Sequence, residues 1–176
     1  MKKNYVIKTK DFTLRPLRMS DKASIAKHAN NKILARNTLN LPHPYSVKDA
    51  TEWIKKESSN YRKKKPSDFV FGIEIDGNIV GAVGIHKIEH GHKAEIGYWL
   101  GEEYWGKGIM TNAVKKASAF TLKQFKLKRI LGCVFLFNIG SARVLEKNGF
   151  VYEGLMRKAV KKGNKFIDKK IYALVR

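Results

Sequence analysis

Cysteine is almost missing from this chain. Cys133 is the only one among 176 residues, which excludes an intrachain disulfide and a thiolate metal cluster. Because it begins the apolar run 133–137, Cys133 is expected to be a small core residue. Long hydrophobic runs are missing too. None approaches the roughly 18 residues a spanning helix needs, so a soluble protein is expected and a membrane partner is not. The lysines between residues 1 and 11 have no apolar stretch behind them, so no cleaved signal peptide is expected and the cytoplasm is. Acidic residues are scarce: 15 Asp and Glu stand against 36 Lys and Arg, a net charge of +21. Such a surface attracts polyanions. It fits plain solvation as well as proximity to a ribosome or RNA, and no nucleic-acid motif or base-stacking spacing involves Trp99, Tyr104 or Trp105.

Hydrophobic periodicity supplies the organisation. A short edge strand is expected at residues 12–17, cut by Pro16, then a helix from Ser20 or Asp21 to about Asn31. Ser46 and Asp49 form a capping box ahead of a helix carrying Ala50, Trp53, Ile54 and Glu57. The loop at 39–45, with Pro42 and Pro44, lies between these helices. Alternation at Phe69, Phe71, Ile73 and Ile75 runs into Asp76-Gly77 and resumes at Ile79, a hairpin pattern. After a turn at His90-Gly91 come a strand over 94–100, a helix over 110–125 and a nearly continuous apolar strand over 129–137. A helix over 139–147 stops at Asn148-Gly149, and two strands, 150–157 and 166–175, close the chain. The order β-α-α-β-β-β-α-β-α-β-β implies a single domain over 1–176, α/β or α+β, with a mixed sheet and helices on both faces.

Glycines at 106 and 108, between a strand and a helix, allow a diphosphate to approach the backbone where first-turn amides and the helix dipole attract it. Two familiar phosphate loops fail here. Gly101 to Lys107 fits a P-loop, but Gly108 stands where Ser or Thr must hold magnesium. The dinucleotide fingerprint fails at Thr111, where a third glycine belongs. His86, His90 and His92 fall across a turn without zinc spacing, so no metal is expected.

Three segments in order, Glu95-Ile96-Gly97-Tyr98-Trp99-Leu100, Tyr104-Trp105-Gly106-Lys107-Gly108-Ile109-Met110-Thr111 and Asn138-Ile139-Gly140-Ser141-Ala142-Arg143-Val144-Leu145-Glu146-Lys147-Asn148-Gly149-Phe150, resemble the motifs of GNAT acetyltransferases of the RimJ/RimL type. Leu14-Arg15-Pro16 followed by Asp21 is similar to that group's start. The resemblance implies a twisted, mostly antiparallel sheet whose splayed strands hold acetyl-CoA, and transfer of its acetyl group to a primary amine. Tyr98, Trp99 and Leu100 are then expected to meet the pantetheine arm; Trp105, Gly106, Lys107, Gly108, Ile109, Met110 and Thr111 the pyrophosphate; Asn138, Ser141 and Arg143 the thioester end and outer wall. The sequence departs from the family at Glu103, where Gln or Arg is usual, and at Leu145, where many members carry a tyrosine acid.

Acyl transfer to an amine needs a base, an oxyanion donor and a stabilised thiolate. The resemblance, whose members often place a carboxylate on this strand, makes Glu95 the candidate base, and its Asn-x-x-Ser arrangement makes Ser141 the hydrogen-bond donor to the thiolate, with an amide near Tyr98 for the oxyanion. Leu39, Tyr45 and His86 are assigned to the acceptor side. A protein α-amine, with an ordinary pKa of about 7.7–8.0, demands less of a base than lysine. The expected acceptor is therefore a protein N-terminus, ribosomal proteins being suggested by the resemblance. A polyamine or aminoglycoside acceptor, or a non-catalytic RNA-binding module of the same fold, are the alternatives; monomer and homodimer both remain open.

Overall fold

A computed structural model describes residues 5–176. One sheet of eight strands organises it, in the order β1-β2-β3-β4-β5-β6-β8-β7. The strands are β1 (Ile7–Lys8), β2 (Thr13–Arg15), β3 (Phe69–Ile75), β4 (Asn78–Glu89), β5 (Lys93–Leu100), β6 (Arg129–Phe135), β7 (Val151–Lys162) and β8 (Lys165–Val175). Only β5 and β6 pair in parallel; every other neighbouring pair is antiparallel. The expected class and topology are found.

Alternation distributes the core. Phe69, Phe71 and Ile73 face one side of the sheet with Val83, Ile85, Ala94 and Ile96, where helices α4 (Ile109–Gln124) and α5 (Ile139–Glu146) cover them. Val70, Ile79 and Ala82 face the other, under α1 (Lys22–Ala29) and α3 (Val47–Tyr61). The capping box at the start of α3 forms as read: Ser46 Oγ accepts from Asp49 N–H, and the Asp49 carboxylate accepts from Ser46 N–H at 2.7 Å.

Two expectations need correction. The strand placed at 12–17 is confined to Thr13–Arg15, and it is not the edge, since β1 pairs outside it with Ile7 opposite Leu14. A two-residue strand leaves no periodicity to read. The helix expected to reach Asn31 stops at Ala29, and Asn31 caps a separate helix α2 (Lys32–Asn37) by accepting from the amides of Ile33 and Leu34. Lys162, at the tip of the β7–β8 hairpin, donates to the carbonyls of Ala35 and Thr38 and so pins the end of α2 beside the 39–45 loop.

Arg15, at the end of β2, ties that strand to the start of α1 and to β3. Its guanidinium, 4 % exposed, meets both carboxylate oxygens of Asp21 at 2.9 Å and Glu74 Oε1 at 2.8 Å. Asp21 also accepts from Arg18 N–H at 2.7 Å. Removing one partner strands the other charge in the interior, which costs more than the pair contributes. Asp21→Ala should lower the unfolding free energy by about 3–5 kcal/mol, measured by urea denaturation at neutral pH.

Candidate active site

The parallel pairing of β5 with β6 runs from Lys93 opposite Arg129 to Ile96 opposite Gly132 and ends there. Each strand keeps its outer partner further on: β4 follows β5 to Leu100, and β8 follows β6 to Phe135. The inner edges of residues 97–100 and 133–135 therefore part, leaving alternate amides and carbonyls without a strand partner.

A cavity of about 1230 Å³ occupies the gap, above the roughly 300–1,000 Å³ typical of a single-ligand pocket. Tyr98, Trp99 and Leu100 form its β5 wall, and Trp105, Gly106, Gly108, Ile109, Met110 and Thr111 one end. Asn138, Ser141 and Arg143 border it from α5, while Leu39, Tyr45 and His86 lie on the side of α3. Of the residues assigned from sequence, Lys107 and Glu95 are not on this wall. Lys107 carries its ammonium back over the Tyr104 ring, 5.6 Å from the centroid. Glu95 accepts from Lys87 Nζ at 2.8 Å in an exposed pair, one register place before the last strand pair.

The end near α4 is a backbone cradle. Gly106 and Gly108 have φ of +74° and +75°, and a Cβ at either would meet no protein atom within 4 Å. Gly108 brings no capping side chain, and the first bond of the α4 ladder is Asn112 N–H to Gly108 O at 3.0 Å. The amides of residues 109–111 precede that ladder and point, with the positive end of the helix dipole, into open space. Behind the loop, Glu103 meets His28 Nε2 at 3.2 Å and Trp105 Nε1 donates to Leu100 O at 2.7 Å. The departure at Glu103 thus serves as an anchor.

Tyr98 crosses the gap with its side chain. Its hydroxyl donates to Ser141 O at 3.0 Å and accepts from Ser141 Oγ at 2.9 Å. Burial pushes this phenol well above its ordinary pKa, only partly offset by the Ser141 bond, so it stays protonated. Asn138 caps α5 by accepting from Ser141 N–H at 3.2 Å, which fixes where that serine stands.

Cys133 was expected in the core and is not there. The parting of the strands leaves it uncovered, exposed on the cavity wall, and burial of its surroundings raises its thiol pKa. Glu57 is the residue that sequence reasoning placed on a helix without a role. It lines the cavity at 2 % exposure, burial pushing its carboxyl up against a single 3.4 Å bond from Asn60. A carboxylate on the apolar stripe of Ala50, Trp53 and Ile54 was the available signal. The turn histidines have local partners: His90 meets Pro66 O at 3.1 Å and His92 meets Glu89 at 3.0 Å.

Residues 11–151 match the model of the acetyltransferase (GNAT) domain, and the chain belongs to that family. It is 32% identical to the probable N-acetyltransferase YjcK of Bacillus subtilis, over 97% of each chain. Against the ribosomal-protein-serine acetyltransferase of Escherichia coli it is 30% identical, over 60% of each. The crystal structure of the microcin C7 self-immunity acetyltransferase MccE, in complex with acetyl-CoA and AMP, superposes with a TM-score of 0.87 at 25% identity, covering 96% of this chain and 94% of that one. The chain is an acetyl-CoA-dependent N-acetyltransferase. Its own residues fit that co-substrate: a side-chain-free cradle for a diphosphate, then a parted strand edge for an arm carrying amides. No helix among the described residues is long and apolar enough to cross a membrane.

Gly108→Val should weaken coenzyme A binding at least about tenfold, because a branched side chain at a left-handed position enters the open space. Calorimetric titration checks this, with a melting curve to separate affinity from the strain of about 1–2 kcal/mol that such a φ imposes.

Proposed function

We propose that this enzyme acetylates the N-terminal α-amine of a protein, a ribosomal protein being the favoured acceptor, by direct attack in a ternary complex. One observation carries the reading: a single cavity joins the cradle at α4 to an open face between α3 and the 39–45 loop, so donor and acceptor can meet across the parted strands. Similarity to the E. coli ribosomal-protein-serine enzyme supports the acceptor class. The +21 charge would favour approach to a ribosome or to RNA.

In this reading acetyl-CoA supplies the thioester, and the chain supplies position and polarity. Unpaired amides of residues 97–100 hold the pantetheine arm, and one near Tyr98 donates to the developing oxyanion. Ser141, placed by the Asn138 cap, turns its one hydroxyl hydrogen from Tyr98 to the departing thiolate. Arg143 borders the coenzyme on its outer side.

A second reading has its own support. Asp49, Glu52 and Glu57 lie on the cavity wall from α3 beside Lys56, so that side of the cavity carries more acid than base. Ser46 bonds hold the Asp49 carboxyl below its ordinary range. A polyamine or other cationic small amine suits such a wall.

Initial rates of thiol release with acetyl-CoA decide between them. Peptides with free α-amines should outpace N-blocked peptides and spermidine in kcat/KM; the reverse order establishes the small-amine reading. Ser141→Ala should lower kcat by about 10- to 100-fold, the value of one hydrogen bond to a charged group, with little change in coenzyme A affinity.

A further inference from the structure

We propose that His86, oriented by Asp68, is the base that takes the proton from the attacking amine, a role that rests on the acetyl-transfer reading above. His86 lies on β4 opposite Glu95, close to where β5 and β6 part. Its Nδ1 stands 3.1 Å from Asp68 Oδ1. Burial alone would raise the Asp68 carboxyl, but hydrogen bonds from Ser67 and His86 outweigh it and the carboxyl sits below its ordinary range. An ionised Asp68 can only accept, so Nδ1 carries the hydrogen and Nε2 presents a lone pair.

The Nε2 end of the ring packs over two glycines. Gly84 and Gly97 face each other across β4 and β5. A Cβ on Gly84 would lie 2.3 Å from His86 Nε2, and one on Gly97 3.8 Å from the same atom. The imidazole therefore rests on bare backbone beside residue 97, the first beyond the last β5–β6 pair. Its side chain is 42% exposed and it lines the cavity, so an acceptor or one bridging water can reach it.

Glu57 faces the imidazole from α3. Lys56, Cys133 and Lys169 line the same cavity. Glu95 is engaged with Lys87. In the step, the amine nitrogen bonds to the acetyl carbon and gives one proton to Nε2. The carbon–sulfur bond then breaks, its electron pair leaving on a thiolate hydrogen-bonded by Ser141, and the imidazolium later releases its proton to solvent.

The test follows kcat/KM for the acceptor from about pH 5.5 to 9, at saturating acetyl-CoA, for wild type, His86→Gln and Asp68→Asn. A peptide α-amine and spermidine serve as acceptors. We expect His86→Gln to lose about 10²-fold or more and to keep only the rise with pH that the acceptor's own deprotonation gives, at about 7.7–8.0 for an α-amine, while coenzyme A affinity and melting temperature hold. Asp68→Asn should keep the imidazole's limb but displace it, as a positioning residue does. An active wild type whose kcat/KM and pH profile His86→Gln leaves unchanged overturns the role of His86 alone. A wild type active on neither amine overturns this proposal and the acceptor reading together.

Discussion

Everything the enzyme does depends on one interruption: β5 and β6 stop pairing after Ile96 and Gly132 while their outer partners continue. A sheet tolerates such a break only if the abandoned backbone groups find something else to bond. A coenzyme arm with amides of its own is a natural occupant, because it can pair as an added strand would. Gly132 helps to set the point of separation. A Cβ there would stand 2.6 Å from Leu145 Cδ1, so α5 packs against β6 at the last pair and brings Ser141 to the mouth of the gap.

The cavity carries charge of both signs, on different walls. A chain with 36 Lys and Arg nevertheless places Asp49, Glu52 and Glu57 along the acceptor side of its cavity. Arg143 and Lys147 border the same cavity from α5, where they complement a phosphate-bearing ligand. Position therefore matters more than abundance: the scarcity of acid in the sequence argues against a cationic acceptor only until the carboxylates are located.

Strong local patterns were legible in the sequence. Period-two alternation marked β3, β4 and β5, the Ser46–Asp49 box marked α3, and the glycine pair at 106 and 108 marked the cradle, because each is a property of neighbouring residues. The α2 helix is only six residues long and escaped, and β1 has two residues and no period at all. Cys133 and the Lys87 partner of Glu95 escaped for a different reason. A continuous apolar strand predicts burial on both faces only if neighbours stay paired along its whole length, and the break at Gly132 exposes Cys133 to the cavity. Glu95 sits in the right segment, but Lys87 is within reach across the strand, and cross-strand partners cannot be read without register.

Gly84 and Gly97 show how the remaining part of the site was hidden. In sequence they are isolated glycines inside strands, positions that weaken a strand and often mark a close approach by something else. The approaching group is the His86 ring. A methyl at Gly84 would collide with the far end of a side chain that can swing away, not with backbone, so the sheet could form with alanine there and the imidazole would lie elsewhere. The folding energy of the strand therefore gives little reason for glycine, whereas the direction of Nε2 gives a specific one. Asp68 completes the constraint from the loop before β3: one contact holds the Nδ1 end of the ring, and the bare backbone of Gly84 makes room for the Nε2 end.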